Sequence, residues 1–236
     1  MGNRTARGEQ QTVTAKGEQL VAENRQDYQS LQPLYRCLNW DKSRVFGSHA
    51  LWHVLPGPKS WVPNDLDIAI GEKTERDLWR EAERLHKCVQ EKAQVGALSK
   101  ERAEPGLGVV AFDMTVSHKH TLDDKWSAHH HKTTHVQLVG FNVDSRGGLI
   151  DAVSRYGHPP CNISFAQHHV HGPRVFAVPL NAMRALHDHH IAVEDLADTL
   201  SFPPARKTRY ELRGFTFDQN VVTTERPGQE ANYVYR

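Results

Sequence analysis

An α+β fold, with one mixed central sheet flanked by helices, is predicted from three observations. Short segments of period-two apolar alternation are mixed with segments of helical period, but without the strict strand–helix alternation of a parallel α/β chain. No internal repeat runs through the 236 residues. Hydrophobic residues make up 38% and charged residues 24%, the balance of a chain that buries a core.

Taken in order, residues Met1 to about Gly17 are polar and rich in Gln and Gly, and they read as a flexible arm. Between Glu18 and Leu38 the apolar residues Leu20, Val21, Tyr28, Leu31 and Leu34 have a loose helical spacing, interrupted at Pro33. Arg44-Val45-Phe46 reads as a strand that enters Gly47-Ser48 and then a short helix, Ala50 to Leu55, stopped by Pro56-Gly57-Pro58. Asp65 to Ile70 alternates acidic and apolar residues, the pattern of a half-buried strand. Thr74 is the N-cap of an amphipathic helix, Glu75 to Val89, with Leu78, Trp79, Ala82, Leu85 and Val89 on one face.

Ala93 to Pro105 reads as a loop or frayed extension. Val109 to Phe112 and His135 to Phe141 read as strands, with the polar stretch His118 to Thr134 as a long hairpin loop between them. Leu149 to Tyr156 is helical. Cys161 to Phe165 and Val175 to Val178 are strands, and Leu180 to His187 and Val193 to Leu200 are helices. Arg206 to Arg213 is a basic helix ended by Gly214. One domain over residues 18–217 is expected, followed by a polar tail, 218–236.

The formal net charge of +1 supplies no general field toward nucleic acid or anionic membrane. Aromatic and basic residues are not interleaved along any strand, as a base-stacking platform requires, so there is no strong case for nucleic acid as a partner. No apolar stretch reaches the roughly 20 residues of a membrane helix. Met1 to Ala6 lacks both a signal-peptide apolar run and the Ser or Thr of a myristoylation signal. Cys37, Cys88 and Cys161 are odd in number and far apart, which reads as reduced thiols in an intracellular, cytoplasmic setting, a virion included.

Two features carry chemistry. A strand–Gly-Ser–helix unit presents backbone N–H groups to an anion at a helix start, where glycine lets phosphates approach. Aspartates at i and i+2 of a strand share a face, so Asp65 and Asp67 can share Mg²⁺, with a third carboxylate from a neighbouring strand completing the site. The order Phe46-Gly47-Ser48, helix, Asp65-Leu66-Asp67-Ile68 resembles the nucleotidyltransferase superfamily, the DNA polymerase β-like fold. The segments Cys161 to Phe165, Val175 to Pro179 and Arg209 to Phe215 are similar to the later half of divergent members of that superfamily, of a kind found in fungi and some viruses. The resemblance covers about Val45 to Phe217.

It implies a nucleoside triphosphate on Gly47 and Ser48, Mg²⁺ on Asp65 and Asp67, and phosphate neutralisation by Arg206, Lys207 and Arg209. The same basic residues also read as a solvated helix face. The resemblance departs at Tyr156-Gly157, where those relatives carry Phe-Asp; Asp113 and Asp151 are the alternatives for the third ligand. Two functions follow. One is nucleotidyl transfer to an unnamed acceptor. The other is a catalytically silent domain with a structural or interaction role, contacting protein partners or copies of itself in a larger assembly, such as a viral one. Either way the fold requires Gly47, Ser48, Asp65 and Asp67 to line one concavity, with Leu51 and Val54 or Leu55 buried beneath it.

Twelve of the sixteen histidines fall in clusters: His118 and His120, His129 to His131, His135, then His168, His169 and His171, and His187, His189 and His190. They lack the compact pattern with Cys or carboxylate partners of a zinc site, and they read as polar residues of loops and hairpins. Collective protonation at mildly acidic pH is the second reading.

Overall fold

The computed structural model describes residues 31–55, 61, 63, 65–101, 107–122, 126–156, 159–167, 174–192 and 204–218; for 101, 117–122 and 126–130 it describes the backbone alone. The expected arm, the helix over Val193 to Leu200, the Pro56-Gly57-Pro58 stop and the tail beyond Asp218 lie outside the described residues.

The fold is α+β around a mixed sheet. Its strands are β1 (Ser43–Phe46), β2 (Asp65–Glu72), β3 (Gln94–Val95), β4 (Ser99–Glu101), β5 (Val109–Leu122), β6 (Trp126–Asn142), β7 (Ser164–Gln167) and β8 (Arg174–Ala177). They lie in the order β3-β5-β6-β2-β1-β7-β8, with β4 also paired to β5. Only β2 and β6 run parallel; every other pair is antiparallel. A separate two-stranded parallel ribbon joins β9 (His190–Ile191) to β10 (Thr216–Phe217).

The period-two pattern of β2 divides the core. Leu66, Ile68 and Ile70 face the larger cluster, with Leu34, Leu51, Leu78, Leu85, Val136, Leu138 and Phe165. Asp67 and Ala69 face the other way, and Ala69 packs there with Phe46, Val139, Phe141, Leu149 and Val153. Each fully buried Leu, Ile or Phe contributes roughly 1.5–3 kcal/mol.

Helix α1 (Gly47–Val54) begins three residues before the expected start, directly on the Gly-Ser turn, and buries Ala50, Leu51 and Trp52, with Leu55 buried just beyond its end. Helix α2 (Glu75–Gln90) is capped by Thr74, whose hydroxyl accepts from the Asp77 amide, and buries Leu78, Ala82, Leu85 and Val89. Helix α3 (Arg146–Tyr156) covers the smaller cluster with Leu149 and Val153. Helices α4 (Leu180–Asp188) and α5 (Pro204–Leu212) add Ala182, Ala185 and Tyr210 to the larger one. Gly214 follows α5 at φ +87° and ends it as expected.

Several sequence expectations are corrected. Residues 31–35 are helical through Pro33, which does not interrupt them. The stretch from Ala93 carries two short strands, β3 and β4, paired on β5. The polar segment His118 to Thr134 is largely ladder: β5 and β6 pair without a break from Val109↔Val139 to Leu122↔Trp126. Residues 161 and 162 are turn rather than strand, and β7 starts at Ser164. Cys37 and Cys88 are joined in a disulfide, with their Cα atoms 5.9 Å apart; Cys161 alone is a free thiol. The reading of all three as reduced thiols does not hold, because burying Leu34 and Leu38 with α2 brings Cys37 against Cys88.

Candidate functional site

Gly47 has φ +72°, a left-handed conformation that costs other residues energy, and the Asp67 carboxylate lies where a Cβ on Gly47 would go. The Gly47 amide donates to the Cys161 carbonyl at 3.1 Å. The Ser48 hydroxyl donates to Asp65 Oδ1 at 3.3 Å. The start of α1 and the Asp65–Asp67 face of β2 therefore converge, held by the antiparallel pairing of Phe46 with Asp67. Substituting Gly47 by Ala is expected to cost roughly 1–3 kcal/mol for a strained backbone and to displace the Asp67 carboxylate. Urea denaturation checks this; an unchanged midpoint contradicts the packing.

The third carboxylate is not beside the pair. On β6, the strand next to β2, Gln137 is directly opposite Asp67 and His135 opposite Asp65. Asp113 is one strand further, on β5, where its Oδ1 is 2.8 Å from His135 Nδ1. Asp151 is exposed on α3, two residues from each of the inward Leu149 and Val153, and so on the opposite side of that helix. Tyr156 packs edge-on against Phe46, with ring centroids 6.1 Å apart, while Gly157 lies outside the described residues. Among the described residues no group of three or more His, Cys, Asp or Glu is arranged to hold a metal ion.

Cys161, whose carbonyl supports the turn, is flanked by α5 and the residue that follows it. Arg206, Tyr210 and Arg213 recur at i, i+4 and i+7, one helical face. All three act on Cys161. Burial pushes its thiol pKa up, while Arg213, a hydrogen bond with Tyr210, and Arg206 pull it down; Asp67 adds a smaller upward push. Cys161 is therefore a protonated thiol at neutral pH rather than a thiolate nucleophile. Arg213 stacks over Trp61 at 4.2 Å, so that tryptophan is engaged by the arginine. Lys207 sits over the Phe217 ring at 5.5 Å, toward the β9–β10 ribbon. Arg209 is half-buried beside Tyr210. Arg213 stood in the sequence as part of the basic helix; its helical spacing from Arg206 was the signal that singles it out. No family model, no curated protein and no solved structure matches this chain.

A second polar assembly was not legible in the sequence. Arg44, 2% exposed, donates from Nε to Ser164 Oγ at 2.8 Å and from Nη2 to the carbonyls of Ser164 and Val175. Burial, with repulsion from Arg146, lowers its pKa to about 10. It fixes β7 and β8 to β1 and thereby Cys161 to Gly47. A cleft lined by Lys42, Gly71, Glu72, Asp77, Val143 and Ser145 lies at the far end of β2 from Asp65.

Proposed function

We propose that this chain is a catalytically silent nucleotidyltransferase-type domain that keeps a nucleotide-binding turn and serves as a binding or structural module. The observation that supports this reading is the pairing of a converged Gly47-Ser48 and Asp65-Asp67 with a neutral Gln137 on the neighbouring strand. The N-terminal end of α1 favours an anion such as phosphate through its dipole. Asp65 and Asp67 suit Mg²⁺, which protein sites hold through one or two carboxylates with the remaining ligands from water and phosphate. Bound there, the ion would neutralise phosphate charge. Arg206 and Arg213 act electrostatically on Cys161, the turn's support, and Lys207 sits over Phe217, so Arg206 and Arg213 are preferred to Lys207 and Arg209 as phosphate partners.

An active transferase is the second reading, favoured by the intact first half of the motif. Thermal shift with Mg²⁺ and each nucleoside triphosphate separates the possibilities. Saturation about 100-fold above Kd stabilises by roughly 2.7 kcal/mol, or roughly 5–10 °C in a domain of this size. The shift is expected in the wild type, is lost in D65N/D67N, and comes without pyrophosphate release. Replacing Gln137 by Asp is expected to tighten Mg²⁺ binding. Pyrophosphate release by the wild type establishes the transferase instead. Absence of any shift at millimolar nucleotide overturns nucleotide binding altogether.

A further inference from the structure

We propose that the Cys37–Cys88 bridge is a site of reversible modification by small thiols, in which Cys88 takes the thiol and Lys92 favours release of Cys37. The inference is independent of the nucleotide reading. The two sulfurs are unequally open. Cys37 is 4% exposed and belongs to the larger core, whereas Cys88, in the last turn of α2, is only partly buried. Thiol–disulfide exchange proceeds by attack of a thiolate on one sulfur of the bridge, so the incoming group has to reach the sulfur that it attacks. Access directs attack to Cys88 and makes Cys37 the leaving sulfur.

A thiolate released into a buried place is disfavoured unless a positive charge meets it. The Lys92 ammonium is 3.9 Å from Cys37 Sγ and 3.9 Å from Cys88 Sγ. The turn that ends α2 places it there, with the Lys92 amide donating to the Val89 carbonyl at 2.8 Å. Arg84, the other cation beside Cys37, donates from Nη2 to the Cys37 carbonyl but is paired with Glu81. Lys92 is therefore the charge that favours departure of the sulfur. In the first step the attacking thiolate forms a bond to Cys88 Sγ, the Cys37–Cys88 bond breaks, and its electron pair goes to Cys37 Sγ. In the second step another thiol attacks the added sulfur, releases the small disulfide and leaves Cys88 reduced. Two small thiols are oxidised and the protein gains two electrons and two protons. Leu34, Leu38 and the Arg84 bond also join the two segments, so Cys37 can instead return to Cys88, expel the added thiol and close the bridge again.

The test exposes the native full chain to β-mercaptoethanol, a neutral thiol, with acid quenching and peptide mass spectrometry at intervals. The mixed disulfide is expected on Cys88, in excess over Cys37. Exchange through the unfolded chain labels both sulfurs alike, so equal labelling overturns the proposal, as does label chiefly on Cys37 or a native bridge that resists the thiol. The single variants read the same preference from the thiol side: with the disulfide of β-mercaptoethanol, Cys88 of C37S is expected to be capped and Cys37 of C88S to be spared. K92Q is expected to slow exchange about five-fold, the size of effect an exposed charge pair has. That deficit should narrow at ~1 M salt, and K92R should restore the rate. The urea midpoint of oxidised K92Q should match that of the wild type, which separates an action on the sulfurs from a structural one. An unaltered rate in K92Q, or a deficit that salt leaves untouched, removes Lys92 from the proposal.

Discussion

Reduction of the Cys37–Cys88 bridge is expected to lower the unfolding free energy by about 4 kcal/mol, on the loop-closure entropy of a bridge between residues 51 apart. The bridge ties the segment after the 31–35 helix to the last turn of α2, two parts of the larger core that also share Leu34, Leu38 and Leu85 and the Arg84 Nη2 hydrogen bond to the Cys37 carbonyl. Urea denaturation with and without a thiol reductant measures the effect. The C37S/C88S variant should start at the reduced wild-type midpoint and show no response to reductant. A wild-type midpoint unmoved by reductant would sink the prediction. Cys161, the remaining cysteine, is not a confounder, because C161S should respond to reductant as the wild type does.

Acidification is the second large effect. His49 is buried on α1, with Tyr35 Oη at 3.3 Å and His53 Nε2 at 3.3 Å from its own Nε2. Burial first, then repulsion from Arg174 and Lys132, lowers its pKa to about 3. The folded protein therefore holds His49 neutral, while the unfolded chain protonates it at about 6.5. Below that pH the unfolded state binds more protons, so stability falls as pH falls, and the loss continues until about pH 3. The linkage amounts to roughly 2 kcal/mol by about pH 5 and approaches roughly 5 kcal/mol at its limit. Denaturation midpoints across pH 7 to pH 4, compared with those of H49Q, isolate this residue from the other histidines. H49Q should be less stable at neutral pH and shallower in slope; parallel slopes for the two proteins would falsify the assignment.

What the sequence disclosed depended on how local the physics was. The strand–turn–helix at Phe46 to Leu55 and the alternation of Asp65 to Ile70 are set by neighbouring residues, and both elements form where their patterns lie. Thr74 and the stripe Leu78, Ala82, Leu85 and Val89 are equally local. The β5–β6 hairpin was hidden because the sequence of its outer half is mostly polar, leaving no apolar alternation to mark a strand. Arg44 was hidden for a different reason. A charge in a strand reads as solvent-facing, and its acceptors, Ser164 and Val175, lie 120 and 131 positions away. The disulfide depended on helix packing that no spacing of three cysteines reveals. The same distinction divides the candidate site: the turn and the acidic pair were readable, while the neutral neighbour Gln137 required knowing that β6 runs beside β2.

The hold of the Cys161 carbonyl on the Gly47 amide has a consequence for how the molecule is made. The turn belongs to the first quarter of the chain, but its support and the partners of the Arg44 guanidinium arrive only with residues 161 to 175. On the ribosome, the emerging chain holds β1 and β2 long before anything can secure the left-handed glycine or satisfy a buried cation. A nascent chain cut short before Ser164 would have to leave Arg44 in water and β1 with one free edge. Assembly of the Gly47 turn is thus postponed to the final third of synthesis.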